Sequence, residues 1–138
     1  MNTETTTEPT TEVTDGSAIR LLSVDFDCPD PAALARFYGA ALGLPVVWAG
    51  DDFVLLGREG SPGLGFVRVA DYRPPTWPDP SQGKQAHLEL GVGDGDLDAA
   101  HARMLALGAT EPSVQPHPEE RRVLLDPAGH PFCISTQD

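Results

Sequence analysis

The stretch DPAALARFYGAALG, residues 30–43, reappears in altered form as DLDAAHARMLALG, residues 96–108. Each opens on an aspartate able to cap a helix N-terminus and closes on Leu-Gly, the common stop signal of a helix C-terminus. In the first copy Pro31 stands where a missing N–H does no harm. Leu34, Phe37, Tyr38 and Ala41 follow at i, i+3, i+4 and i+7, which is one helical face. In the second copy Leu97, Ala100, Met104 and Leu107 form the corresponding stripe. Two capped helices of nearly equal length make an internal repeat.

What flanks each helix repeats as well. Before the first lies IRLLSVDF, residues 19–26, and after it come VVW at 46–48, FVLL at 53–56 and LGFVRV at 64–69, separated by the turn-forming AGDD and REGSPG. Before the second lies HLELGV, residues 87–92, and three short segments follow, at 111–115, 121–125 and 131–135, with DPAGH as the last turn. Residues 71–84 join the halves and contain four prolines, Tyr72 and Trp77, a composition for an extended crossing. The expected fold class is α+β: two βαβββ modules, about 18–70 and about 85–136, forming a curved mixed sheet. Each half exposes an apolar sheet face that needs covering, and pairing them leaves a concave ligand cavity.

The 138 residues suffice for one core, so residues 18–138 are read as a single domain. Residues 1–17 are almost entirely Thr, Glu, Pro, Asp and Gly, without an aromatic or basic residue, and are expected to form a disordered acidic tail. With 21 acidic residues against nine Lys and Arg, the net charge is -12, which argues against a nucleic-acid partner. No apolar run approaches the roughly 18 residues of a membrane span. The first residues lack a basic and then apolar leader, so a cytoplasmic location is expected, with Cys28 and Cys133 reduced. Sequence alone leaves open whether those two cysteines pair.

Taken together, Asp30 before the first helix, Phe37-Tyr38 within it and Asp126-Pro127-Ala128-Gly129 before the last segment resemble the vicinal-oxygen-chelate superfamily of glyoxalases, bleomycin-resistance proteins and extradiol dioxygenases. RPPTWPDP, residues 73–80, followed by HLEL is similar to glyoxalase-like proteins common in actinobacteria. The resemblance runs from about residue 18 to 135. It implies paired βαβββ modules, frequent homodimers, and, in metal-using members, ligands on the first and last strand of each module. Those positions here hold Ser23, Val67, His87 and Cys133. Only His87 is an ordinary ligand and Cys133 a conceivable one, so no metal is expected. Should a divalent ion bind, His87, Glu89 and Cys133 are its expected ligands.

Strand alternation puts Ser23 with Asp25 on one face and His87 with Glu89 on another, so all four are expected to look into the concavity. His87 and Glu89 are the candidates for acid–base chemistry. Ser23, Asp25, Trp48, Val67, Tyr72, Trp77 and Cys133 are the candidates for ligand contact, the aromatics serving either as cavity walls or as caps on the core or a dimer interface. His101, His117 and His130 read as exposed polar residues, and Cys28 as a small buried one. Gly91-Val-Gly-Asp-Gly-Asp96 lacks the lysine of a phosphate loop and carries the wrong charge. Ser23, Asp25 and His87 could compose a triad on paper, yet no G-x-S-x-G elbow supports one. Two functions remain: a binding protein for a small organic molecule, without the usual metal centre, or a metal-dependent or His-assisted lyase, isomerase or dioxygenase.

Overall fold

A computed structural model describes residues 18–136; the expected tail over residues 1–17 lies outside the described residues. In chain order the elements are β1 (Ser23–Cys28), α1 (Pro31–Leu42), β2 (Val46–Ala49), β3 (Phe53–Leu56), β4 (Gly63–Arg68), β5 (Leu88–Gly91), α2 (Leu97–Leu107), β6 (Arg121–Leu125) and β7 (Pro131–Ser135). Both helices begin as their sequences dictate. Asp30 accepts a hydrogen bond from Ala33 N at 3.2 Å and Asp96 from Ala99 N at 3.0 Å. Gly43 ends α1 in the left-handed region, φ 67°, a conformation that favours glycine.

The strands form two sheets, one in the order β1-β4-β3-β2 and the other β5-β7-β6. Within each, the first strand runs parallel to the last and the others are antiparallel. Outside β2, the strand side chains that reach the core are even-numbered. Phe26, Val54, Leu56, Leu64 and Phe66 from the first sheet and Leu88, Leu90, Leu124, Phe132 and Ile134 from the second belong to one core with Leu34, Phe37, Tyr38 and Met104 of the helices. Tyr38 stacks on Phe66 at 5.6 Å within the first module, and Phe37 and Tyr38 meet Phe132 edge-on at 6.0 and 6.2 Å, so aromatic contacts cross between modules.

A polar latch accompanies that packing. Tyr38 Oη donates to Asp126 Oδ2 at 2.7 Å, and Asp126 Oδ1 accepts from Ala128 N at 2.8 Å and His130 N at 3.0 Å. His130 Nδ1 lies 2.9 Å from Asp126 Oδ2, and because an ionised carboxylate only accepts, the ring nitrogen donates. Tyr72 Oη closes the group by donating to Ala128 O at 2.7 Å. Asp126 is 2% exposed, and its carboxylate is satisfied on every side.

Three expectations are corrected. The first strand begins at Ser23 rather than Ile19, because its parallel partner β4 begins at Gly63, just after Pro62, where Gly63 N donates to Leu22 O at 2.9 Å. The segment at 111–115 is not a strand. Only Thr110 bridges to Leu125, and the prolines at 112, 116 and 118 remove the donors a ladder needs. The Gln115 carboxamide substitutes, donating to Val123 O at 2.7 Å and accepting from Val123 N at 2.9 Å. Finally, His101 and His130 are not exposed polar residues: each side chain is 13% exposed and engaged with a carboxylate, Glu111 and Asp126 respectively. Both cysteines are free and buried.

Candidate functional site

With the even side chains in the core, the odd ones take the opposite face of each sheet. On the second sheet Glu89 pairs with Cys133, which pairs with Val123, so these three form one row across β5, β7 and β6. His87 enters just before β5, and Arg121 stands two residues before Val123 on the same face. Together with Lys84, Pro116 and His117 they line a cavity of about 280 Å³.

Its polar floor is internally bonded. His87 Nε2 lies 2.7 Å from Glu89 Oε2 and donates to it, since an ionised carboxylate only accepts. Burial, then the hydrogen bond and charge of Glu89, push the Cys133 thiol up to about 11, so it is a neutral donor to that carboxylate. The ligating atoms of His87, Glu89 and Cys133 all lie within 4.8 Å of one another.

The other sequence-derived residues lie elsewhere. On the first sheet Ser23 Oγ donates to Asp25 Oδ1 at 2.8 Å, and Asp25 lies directly over Gly65, where any Cβ would collide with its carboxylate. Val67 pairs with Asp27 and Phe53 on the same face, and Trp48 packs on Phe53 at 6.1 Å while remaining 56% exposed. None of Ser23, Asp25, Trp48 or Val67 lines the cavity of the second sheet. Tyr72 belongs to the latch. Trp77 reaches the cavity rim indirectly, with Lys84 Nζ 4.6 Å from its ring centroid.

Lys84, Arg121, Val123, Pro116 and His117 escaped the sequence reading. For Arg121 and Val123 a signal existed, since alternation along β6 puts both on the face of Cys133. Lys84 had none: it sits in a proline-rich crossing without periodicity, and Trp77 positions it.

A tight divalent centre does not fit the four positions that the family resemblance implies. Val67 has no donor atom, and the Ser23 hydroxyl is committed to Asp25. His87, Glu89 and Cys133 have suitable chemistry between them and ligating atoms within 4.8 Å of one another, but they are three donors on one sheet and the first-sheet positions add none.

A family model described as glyoxalase-like domain matches residues 23–135. The chain belongs to that family. Among curated proteins none matches this glyoxalase-like domain. Solved structures share its fold at low identity. A glyoxalase/bleomycin resistance protein/dioxygenase family enzyme from Burkholderia phytofirmans PsJN superposes with a TM-score of 0.66 at 22% identity, over 84% of this chain and 97% of that one. The fosfomycin resistance protein FosX from Mesorhizobium loti gives 0.65 at 17% identity, over 86% and 92%. The trypanothione-dependent glyoxalase I of Leishmania major gives 0.58 at 18%, over 87% and 88%. The match to both modules agrees with the α+β architecture of paired β-α-β units. Among the described residues no helix is long and apolar enough to cross a membrane.

Proposed function

We propose that this glyoxalase-like domain binds a small organic molecule in the second-sheet cavity, without the usual metal centre. The observation that carries this reading is the donor set. His87, Glu89 and Cys133 are bonded to one another at the floor of a 280 Å³ cavity, and the matching first-sheet positions, Ser23 and Val67, supply no second pair of ligands. The floor thus offers an imidazole and a carboxylate to a polar group, while Val123 and Pro116 offer apolar wall.

A second reading draws on the same hydrogen bond. A carboxylate that fixes a histidine tautomer is the orienting half of a general base, so His87 with Glu89 could move a proton on a bound substrate, as a lyase or isomerase requires. One preparation separates the readings. Protein purified without chelator is expected to carry well under one equivalent of transition metal, and His87→Ala should weaken binding of a hit found by screening metabolite-like molecules. Stoichiometric metal lost in His87→Ala would overturn the metal-free reading, and turnover of a hit that His87→Ala and Glu89→Gln abolish would establish the second.

A further inference from the structure

A chain with 21 acidic and nine basic residues has few cations to place, and several arginines are taken up by the protein itself. Arg122 pairs with Asp98 at 2.7 Å and Arg68 with Asp52 at 3.4 Å. Arg58 donates to Gly43 O at 2.6 Å and Arg103 to Ala40 O at 3.4 Å. Lys84 and Arg121 are disposed differently. Both line the second-sheet cavity, with His87 and His117, and among the described residues neither has a carboxylate within ion-pair distance. The single carboxylate of that lining, Glu89, is already engaged by His87 and by the Cys133 thiol.

Position sharpens the point. Lys84 is half-buried, and the face of Trp77 holds its ammonium at the rim. An aromatic quadrupole attracts a cation without neutralising its charge. Arg121 is exposed and borders a neighbouring cavity of about 250 Å³ that carries the carboxylates of Glu89 and Glu120 with Ser135 and Thr136, so the positive end of the site is the Lys84 side. Two cations against one carboxylate give a partly enclosed, partly apolar hollow of a strongly acidic protein a net positive lining, a focusing site for the opposite charge.

We propose that the cavity takes a small organic oxyanion, a carboxylate or phosphate held between Lys84 and Arg121 with its apolar body against Val123 and Pro116. This rests on the reading of the cavity as the ligand site and adds the chemical class of the ligand. The volume, below the usual range of roughly 300–1,000 Å³ for drug-sized ligands, restricts the body to a few atoms or one ring.

Calorimetric titration of the full chain with phenyl phosphate, benzoate and neutral benzyl alcohol tests the inference. At least one anion is expected to bind saturably, about tenfold or more tightly than benzyl alcohol, and more weakly as salt rises. Comparison of phenyl phosphate with benzoate then identifies the oxyanion. Lys84→Gln and Arg121→Gln should each weaken the anion by about tenfold and leave benzyl alcohol unchanged, while Arg103→Gln, which removes the same charge elsewhere, should change neither. Thermal melting of each variant confirms that it is folded. Equal binding of anion and alcohol, indifferent to Lys84 and Arg121, would overturn the anion while retaining the cavity. No binding by any probe at millimolar concentration would overturn the anion outright, and binding that survives His87→Ala unchanged would remove the cavity reading beneath it.

Discussion

Removing one oxygen, in Tyr38→Phe, should loosen the two modules from each other. The Tyr38 hydroxyl is fully buried and donates to Asp126 Oδ2 at 2.7 Å, and it ties α1 of the first module to the turn before β7 of the second. Its ring would stay, stacked on Phe66 at 5.6 Å, so apolar contact is nearly unchanged. A hydrogen bond to a charged acceptor is worth about 1.5–3 kcal/mol, and Asp126 keeps Ala128 N, His130 N and His130 Nδ1 as donors, so about 2 kcal/mol is the expected loss. In a domain of this size that lowers Tm by roughly 5–10 °C. Asp126→Ala should cost more, because it strands the Tyr38 hydroxyl, two backbone N–H groups and the His130 ring together. In that background Tyr38→Phe should then have little further effect, a coupling of at least about 1 kcal/mol in a double-mutant cycle followed by urea unfolding. A Tyr38→Phe variant melting within a degree or two of the parent, or additive losses, would refute the latch.

The remaining predictions concern the thiols and the association state. Burial raises Cys133 from 9.0 to about 11 and Tyr72 from 10.0 to about 12, Asp126 adding to the latter. Groups whose folded value lies above the unfolded one stabilise fully below the unfolded value, so stability should hold up to about pH 9 and fall between about 9 and 12 in alkaline melts. For the same reason, and because burial also pushes Cys28 up, both thiols should resist a disulfide reagent at neutral pH and react promptly in denaturant; rapid native labelling of either would contradict the burial. Light scattering should report a homodimer, since Ile19, Leu21, Leu22, Val46, Val47 and Trp48 are all more than half exposed. Trp48→Glu, which removes roughly 2 kcal/mol of burial from each copy, should dissociate it, and a monomer for the parent at high concentration would count against association.

How far a sequence can be read depends on whether the information is local. Helix caps are local. Asp30, Pro31 and Gly43 are chemically obliged to act where they stand, and strand parity carries His87 and Glu89 to one face without knowledge of any partner strand. The failures lie where a distant partner decides. Ile19 to Leu22 has the composition of a strand, but the parallel ladder with β4 starts only at Ser23 and Gly63; Gln115 sits in a segment spoiled by prolines, and its carboxamide takes the ladder positions that a backbone would have filled. His130 looks like a turn residue until the fold brings Phe26 and Tyr72 to its two sides.

The cavity shows the same division most sharply. Cys133, Glu89 and Val123 follow from register and parity once the sheet order is known, whereas Lys84 depends on a Trp77 ring that only the folded crossing places beneath it. A family resemblance directs attention to metal-ligand positions, and at those positions the first module has Ser23 and Val67. The charge that distinguishes this cavity lies instead on residues that the resemblance does not index. Lys84 sits in the crossing and Arg121 at the first residue of β6, and each gains its meaning from facing a hollow in a chain of net charge -12. On the proposed reading, specificity is carried by the crossing and by the strand rim, which can change without disturbing the core of Tyr38, Phe66 and Phe132 that holds the two modules together.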